Sequence, residues 1–483
     1  MERPPVTGVK YSGGGRVFLQ DIPWHGGHSM AIKTFTTTAL LLLSSVLPAP
    51  ESLSAQEVID LPGRDRHLDA DFEQVFRIGV LEGEDWEMFG TVMHVEFDED
   101  GNLYIVDGSG GMSLGDGTRV VGPGSGGTRV LVFDASGNFL REFGTSGEGP
   151  GEFNMPAGFA VLRDGTTIVA DLGHRAYQLF DTDGSFLRMV RGGEREGPGG
   201  FAWTLLADPR GGAAFTGNFG NRPATINPGG GDAGPPTSPI ARLGLAGEEV
   251  QTDTVVRAWL PPRGEADLEL PGDIGVSEGD RGTLADALRG FSQPSIFEPP
   301  LLAGVLPDGG IVYSDSSAYA LKVTRPDAGE VTRIIRRPIR PRPVTPRIEK
   351  EHRETEEAAR REGSGDGSLP IRIFTPGGRD QGALNPTIPL NMPEPAYYHE
   401  LSVLRGLSTT WDGSIWVRRR GVEPESDGPI DVVTSDGRYV GTFPKDATEI
   451  PDAFGPHGVA AFIEHDEFGV ASVVVRRLPA ALR

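Results

Sequence analysis

A strand–turn–strand unit that recurs at long intervals constrains this chain more than any other feature. GFAVLRDGTTIVAD (Gly158–Asp171) has counterparts in VMHVEFDEDGNLYIVD (Val92–Asp107), LLADPRGGAAFTGN (Leu205–Asn218), AGVLPDGGIVYSD (Ala303–Asp315) and LSTTWDGSIWVRR (Leu407–Arg419). A looser copy is GVAAFIEHDEFGVASVVV (Gly458–Val475). Each copy joins two short apolar runs through an Asp-Gly-type turn. A unit this small cannot bury its own apolar faces, so the copies must stack on one another. Strand-rich copies stack radially, as blades. Six copies predict an all-β fold, a six-bladed β-propeller.

The second copy shows a whole blade. Its strands read Gly158–Leu162, Thr167–Ala170, Ala176–Asp181 and Ser185–Val190, from the axis outward. Ahead of them stands GPGEF (Gly149–Phe153), with Pro156 and Gly158 before the inner strand; VAD, RAYQLFD and GSFL follow the Asp-Gly turn. This stretch resembles the NHL-repeat family of propellers. The departure is His174, where that family carries Asn. Elsewhere the resemblance covers only the first hairpin of each unit. It implies the fold and leaves function open, because one fold hosts many activities.

The last copy is read as supplying only the two inner strands of its blade. Gln56–Leu61 and Phe72–Ile78 are then expected to complete it from the N-terminal side, a shared closure that leaves no long free edge.

Composition agrees with a turn-rich repeat protein: 69 Gly and 40 Pro among 483 residues. The net charge of −23 argues against nucleic acid and anionic membranes as partners. There is no Cys, which excludes disulfides, thiolate nucleophiles and Cys-ligated zinc. Residues 30–55 carry Lys33, an apolar run from Ala39 to Leu47 and a small-residue site at Ser54-Ala55, the pattern of a secretory signal too short to span a bilayer stably. Met1–Ser29 has the pattern of neither a leader nor a domain and is read as disordered or untranslated, with translation starting at Met30. Residues 56–483 are read as the propeller, exported to the periplasm or beyond, without a transmembrane segment once the signal is removed.

The chain is long for six blades. The excess falls at Gly108–Gly127, at Asn221–Pro239 and at Thr345–Tyr398, with RIEKEHRETEEAARREG as a charged helix ending at Gly363. A shorter helix is expected at Thr283–Phe291. Loops from second to third strand, and from one blade to the next, emerge on one face of a propeller, so these insertions converge there. Elaborating one rim of a rigid scaffold is a common way to build a binding site.

Residues near the axis on that face form two candidate rings. Asp107, Asp171, Asn218, Asp315 and Arg419 end the second strands. Repeated Asp there suits backbone capping, whereas the long loops after Asp107 and Asn218 make those two ligand-contact candidates. Tyr397, Tyr398 and Arg405 sit at or just before an inner strand and complete the ligand-binding set. His94, His399 and His457 are a candidate zinc set. The resemblance adds that NHL-like amidating lyases use histidine-bound zinc, yet aligning the turns puts His94 and His457 on opposite sides of their strands. A calcium-dependent lactonase resembling this ring would need Glu in an EGP-type motif, which Glu96 lacks. The reading is therefore a scaffold that binds a protein, peptide or carbohydrate without cofactor. The alternative is a lyase or hydrolase using zinc or calcium at the axial funnel. N-terminal sequencing of the chain from its native envelope is expected to start at or within a few residues of Gln56; a retained Met30–Ala55 segment would show an anchor instead.

Overall fold

The computed structural model describes residues 56–108, 111–113, 119–121, 127–192, 204–220, 225–226, 237–263, 291–326, 328–362, 394 and 396–483. Among these residues, six sheets of four or five strands succeed one another around a ring. From innermost to outermost strand, blade one is Val92–Phe97, Leu103–Gly108, Thr128–Phe133 and Phe139–Phe143. Blade two is Pro156–Val161, Thr167–Asp171, Ala176–Phe180 and Phe186–Arg191. Blade three is Leu205–Ala207, Ala213–Gly217, Thr237–Gly244 and Gln251–Trp259. Blade four is Leu302–Val305, Ile311–Ser314, Ala320–Thr324 and Val331–Arg336. Blade five is Leu404–Thr409, Ser414–Arg420, Asp427–Thr434 and Tyr439–Phe443. Blade six is Ala453–Phe454, Val459–His465, Ala471–Arg477 and, returning from the N-terminal side, Glu73–Ile78.

The core lies between blades. Each of the six interfaces holds its own buried apolar cluster, such as Ile168 and Tyr177 against Ala214 and Leu243 between blades two and three. A strand buried on both faces needs apolar residues at nearly every position, which is why Leu103–Val106 and Leu131–Phe133 are continuous apolar runs. The cluster between blades six and one joins Val473 and Val475 to Val95 and Phe97, so the ring is closed by packing as well as by pairing.

Closure differs from the expectation in two respects. Glu73–Ile78 pairs with Ala471–Arg477 as expected. The last copy, however, supplies three strands: its innermost is the two-residue Ala453–Phe454, and the hairpin Val459–His465 to Ala471–Arg477 is second and third. Asp466–Gly469 makes the same turn as the inner hairpins elsewhere, with Gly469 N–H donating to the Asp466 carbonyl at 3.0 Å and Gly469 at φ 80, but on the other face of the ring. Turn chemistry is blind to which pair of strands it joins. In addition, Glu57–Asp60 belongs to blade four, where it lies parallel to Val331–Arg336 as a fifth strand. Ile59 and Leu61 pack there against the cluster between blades four and five, and Arg333 and Arg336 pair with Glu57 and Asp60 at 2.9 Å.

Residues 56–78 thus form a strap along the outer edges of three blades. After blade four, His67 bridges Thr442 on the edge of blade five. Leu68 lies so close there that a side chain at Gly441 would meet it at 2.6 Å, which demands glycine. Arg337 fixes the crossing. Its fully buried guanidinium pairs with Asp431 at 2.7 Å and with Asp65 at 2.6 Å, donates to the Pro62 carbonyl at 2.9 Å and lies over the Tyr439 ring.

The insertions add small elements: a hairpin of Gly111–Ser113 and Arg119–Val121, a ribbon of Thr225–Ile226 with Phe291–Ser292, and another of Arg342–Pro343 with Glu400–Leu401. The expected charged helix spans Pro346–Glu362. Proline at its first position and Thr345 before it are ordinary start signals, and Arg347 pairs with Glu351 one turn on at 2.7 Å. The helix expected at Thr283–Phe291 falls outside the described residues but for Phe291, which opens a strand.

Deleting Gln56–Leu61 is expected to lower the melting midpoint and leave the ring folded. Deleting Gln56–Ile78 is expected to abolish cooperative melting, because blade six would bare Val473 and Val475. Arg337→Ala removes the nearer cation of buried Asp431, leaving Arg419 at 3.6 Å, and should cost about 3 kcal/mol in urea unfolding.

Candidate functional site

The two faces of the ring differ in chemistry. One carries the turns within inner and outer hairpins, and these are minimal: Gly101, Gly137, Gly165 and Gly184, at φ 80 to 83, donate to the carbonyls of Asp98, Asp134, Leu162 and Asp181. Gly309, Gly413 and Gly437 repeat the pattern. The other face carries the insertions.

The axis is sealed on the face of minimal turns. Arg163, in the inner turn of blade two, lies over the ring of Trp411, in the inner turn of blade five, at 4.7 Å. Blades two and five stand opposite in a ring of six, so this contact crosses the axis. A cation over an indole face is favourable, by about 0.5–2 kcal/mol depending on desolvation. Glu99 N–H donates to the Arg163 carbonyl at 2.8 Å and ties blade one to the seal. Among the described residues, the axial channel is therefore a funnel, closed at this face and crossed by no such contact on the insertion side.

The innermost strands run from mouth to floor, and several of their side chains are only half-buried. Met93, His94, Glu96 and the stretch Arg405–Thr409 are among them. Glu96 lies deep, just above the turn that starts at Asp98. Among the described residues it has no hydrogen-bond or ion-pair partner. Surrounding protein in place of water pushes its carboxyl up from 4.5 to about 8. His94, on the same strand face, is driven the other way by burial, to about 4, although the Ala157 carbonyl accepts a hydrogen bond from its ring. The imidazole is thus neutral, stacked 6.3 Å from the Phe159 ring. Above Glu96, an apolar crevice between blades one and two is lined by His94, Phe159 and Thr128, whose buried hydroxyl has no partner among the described residues.

The candidate residues separate into distinct roles. Asp107 is buried and occupied: it accepts from the Gly90 and Thr91 N–H groups at 2.8 and 3.1 Å and pairs with Arg129 at 3.2 Å. Asp171 accepts from Asn154, Gly173 and His174 N–H, and Asp315 from Trp259 N–H and Lys322. These strand-end carboxylates hold loops in place. Asn218 is half-buried after its strand. Tyr397 anchors the charged helix: its hydroxyl donates to the Glu349 carbonyl at 3.1 Å and lies 3.2 Å from His352 Nδ1, and its ring leans on Phe297. Tyr398 stacks beside His399, and Arg405 at the funnel mouth pairs with Asp427 at 2.9 Å.

The three histidines are not brought together. His94 is half-buried between blades one and two. His399 is exposed on the insertion face, 3.8 Å from Glu400. His457 occupies the turn between the first and second strands of blade six, at φ 57, on the sealed face. It was expected at the start of an inner strand, and the hidden strand Ala453–Phe454 displaces it. Among the described residues, no three His, Asp or Glu side chains stand close enough to hold a metal ion. The seal itself had no local sequence signal, since Arg163 and Trp411 lie in different repeats.

A family-model match agrees with this architecture. Residues 125–192 match DUF5128, a family described as a 6-bladed beta-propeller. Human E3 ubiquitin-protein ligase NHLRC1 is 30% identical over 98 residues, 20% of this chain and 24% of that protein. Human NHL repeat-containing protein 3 is 30% identical over 95 residues, 20% of this chain and 23% of that protein. The chain therefore spans about a quarter of the length of these relatives. Among solved structures, a member of the DUF4221 family from Bacteroides vulgatus covers 85% of this chain and 98% of its own at TM-score 0.42 and 10% identity. The calcium-binding protein regucalcin from Agrobacterium tumefaciens covers 87% and 97% at TM-score 0.32 and 12% identity.

Glu96 yields a prediction with a definite sign. Its folded pKa is raised, so its ionisation destabilises the fold, and that loss grows from the ordinary carboxylate range up to about 8. His94, with a lowered pKa, acts oppositely between about 4 and 6.5. Glu96→Gln should therefore melt like the parent near about pH 4 and higher than the parent by about 2–4 °C near about pH 9; thermal melts across that range are the check. With its inner turns meeting on the axis and six sheets succeeding one another around it, the chain is a six-bladed β-propeller whose second blade falls in the stretch that matches DUF5128.

Proposed function

We propose that this chain is an exported binding scaffold that captures a protein, peptide or carbohydrate on its insertion face, at the mouth of the axial funnel. The observation that carries the reading is the asymmetry of the ring. One face is all minimal turns and closed on the axis by Arg163 and Trp411; the other gathers the insertion hairpin, both ribbons and the charged helix. A rigid ring that spends its extra residues on one face, around the end of its channel that no such contact crosses among the described residues, is suited to recognition there. Tyr398 and Arg405 are the side chains best suited to contact, one by broad amphipathic area and the other by directed donors.

Export rests on the leader-like pattern of residues 30–55. No described helix is long and apolar enough to cross a membrane. The alternative of a zinc or calcium lyase or hydrolase would need ligands that the described residues do not gather. Metal analysis of protein purified without chelators decides between the two, with near-stoichiometric zinc or calcium favouring the enzyme.

The scaffold reading makes a two-face prediction. The double substitution Tyr398→Ala with Arg405→Ala should lose capture of partners cross-linked in the native envelope while melting within about 2 °C of the parent. His457→Ala with Asp183→Ala, on the sealed face, should leave capture intact. The opposite pattern, with the sealed-face pair alone losing capture, would place recognition on the wrong face for this reading.

A further inference from the structure

The innermost strands carry few charged side chains. Arg405 stands at the mouth and is paired with Asp427. Glu96 stands near the floor, and among the described residues nothing is paired with it. A carboxyl group out of bulk water without a partner is costly, and perturbed groups of that kind cluster at functional sites.

The surroundings of Glu96 define what that half is. On its own strand, His94 is neutral and bonded to the Ala157 carbonyl. On the adjoining strand, Tyr104 stands opposite Glu96 in register, with its hydroxyl engaged by Asp98 and Arg141. The inner strand of blade two brings Ala157, Phe159 and Val161, all uncharged. On the floor, the Arg163 guanidinium is committed to the Trp411 ring. On the blade-six side, Asp452 precedes the inner strand and accepts from Ile463 N–H at 2.7 Å, a further negative group toward the mouth. The funnel thus presents an uncompensated acid among Met93, His94 and aromatic rings, with an indole at its base that already holds one cation.

Resting on the reading of the funnel as the binding site, we propose that its closed end is a subsite for a small organic cation, an ammonium or alkylammonium group, which Glu96 holds as its counter-ion. Among the described residues, an anionic ligand would find no free cation there, because Arg163 is committed to the Trp411 ring. Larger ligands are stopped at the floor by the Arg163–Trp411 contact, so the cation would be the leading end of a molecule whose remainder lies at the mouth near Arg405 and Tyr398.

The test uses the full chain and n-butylammonium chloride, with sodium chloride at equal ionic strength as reference. The amine should raise the melting midpoint of the parent by about 1 °C or more beyond sodium, as a ligand bound only to the native state must. It should also move the carboxyl-carbon NMR titration of Glu96 to lower pH. Glu96→Gln should stay folded and lose the amine-specific increment. An equal increment in Glu96→Gln, no increment in the parent, or a Glu96 titration unmoved by the amine would overturn the proposal. Partner capture on the insertion face that survives Glu96→Gln, together with any of those results, would sink the subsite and leave the scaffold reading standing.

Discussion

Closure of the ring is the constraint on which the rest of this structure depends. Each sheet buries both faces against its neighbours, so blade six without its outermost strand, or a gap between blades six and one, would expose apolar surface on two sheets together. Glu73–Ile78 supplies the missing strand, and the cluster of Val95, Phe97, Val473 and Val475 completes the circle. The strap extends the same device backward over blades five and four. Its crossing is set by Arg337, whose buried guanidinium gathers Asp431, Asp65 and the Pro62 carbonyl at one point. A buried ion pair of this kind adds little net stability over well-packed apolar groups. What it does add is direction: the pair is satisfied only when the strap passes between blades four and five at that place.

A closed ring then separates two kinds of loop. The hairpin turns, made tight by glycine at positive φ, populate one face and allow Arg163 and Trp411 to meet on the axis. On the other face, strand-end carboxylates such as Asp107 and Asp171 hold the entering loops by their backbone N–H groups. Loops anchored at their roots in this way can grow without disturbing the blades, and the insertions occur there. The recurring Asp is therefore a support for variable loops, which explains its repetition better than a ligand would, since a ligand needs different groups at different points around an axis.

Titratable groups near the axis follow the same logic of water exclusion. His94 and Glu96 share a strand face and are shifted in opposite directions by one cause, the loss of water around whichever form is charged. Both are consequently neutral over much of the physiological range. A neutral carboxyl and a neutral imidazole above a sealed floor make a site that is polar without being charged, until a ligand brings its own charge.

The sequence by itself determined the all-β repeat, the number of blades, the faces on which turns and insertions lie, and the charged helix at Pro346–Glu362. These are local matters: period-two apolar runs, Asp-Gly turns and a start signal at Thr345-Pro346 are readable within a dozen residues. It also placed Phe72–Ile78 in the closing blade, because the last copy was short of outer strands. Only the tertiary structure decided the rest. Ala453–Phe454 is too short to show a period, so Asp466–Gly469 passed for an inner turn and His457 for a funnel residue. Glu57–Asp60 reads equally well as an edge strand of any blade, and the choice of blade four rests on Arg333, Arg336 and Arg337, which no local pattern connects to it. The seal of Arg163 with Trp411 and the isolation of Glu96 are likewise properties of residues far apart in the chain. They exist only once the ring has closed and brought blades two and five face to face.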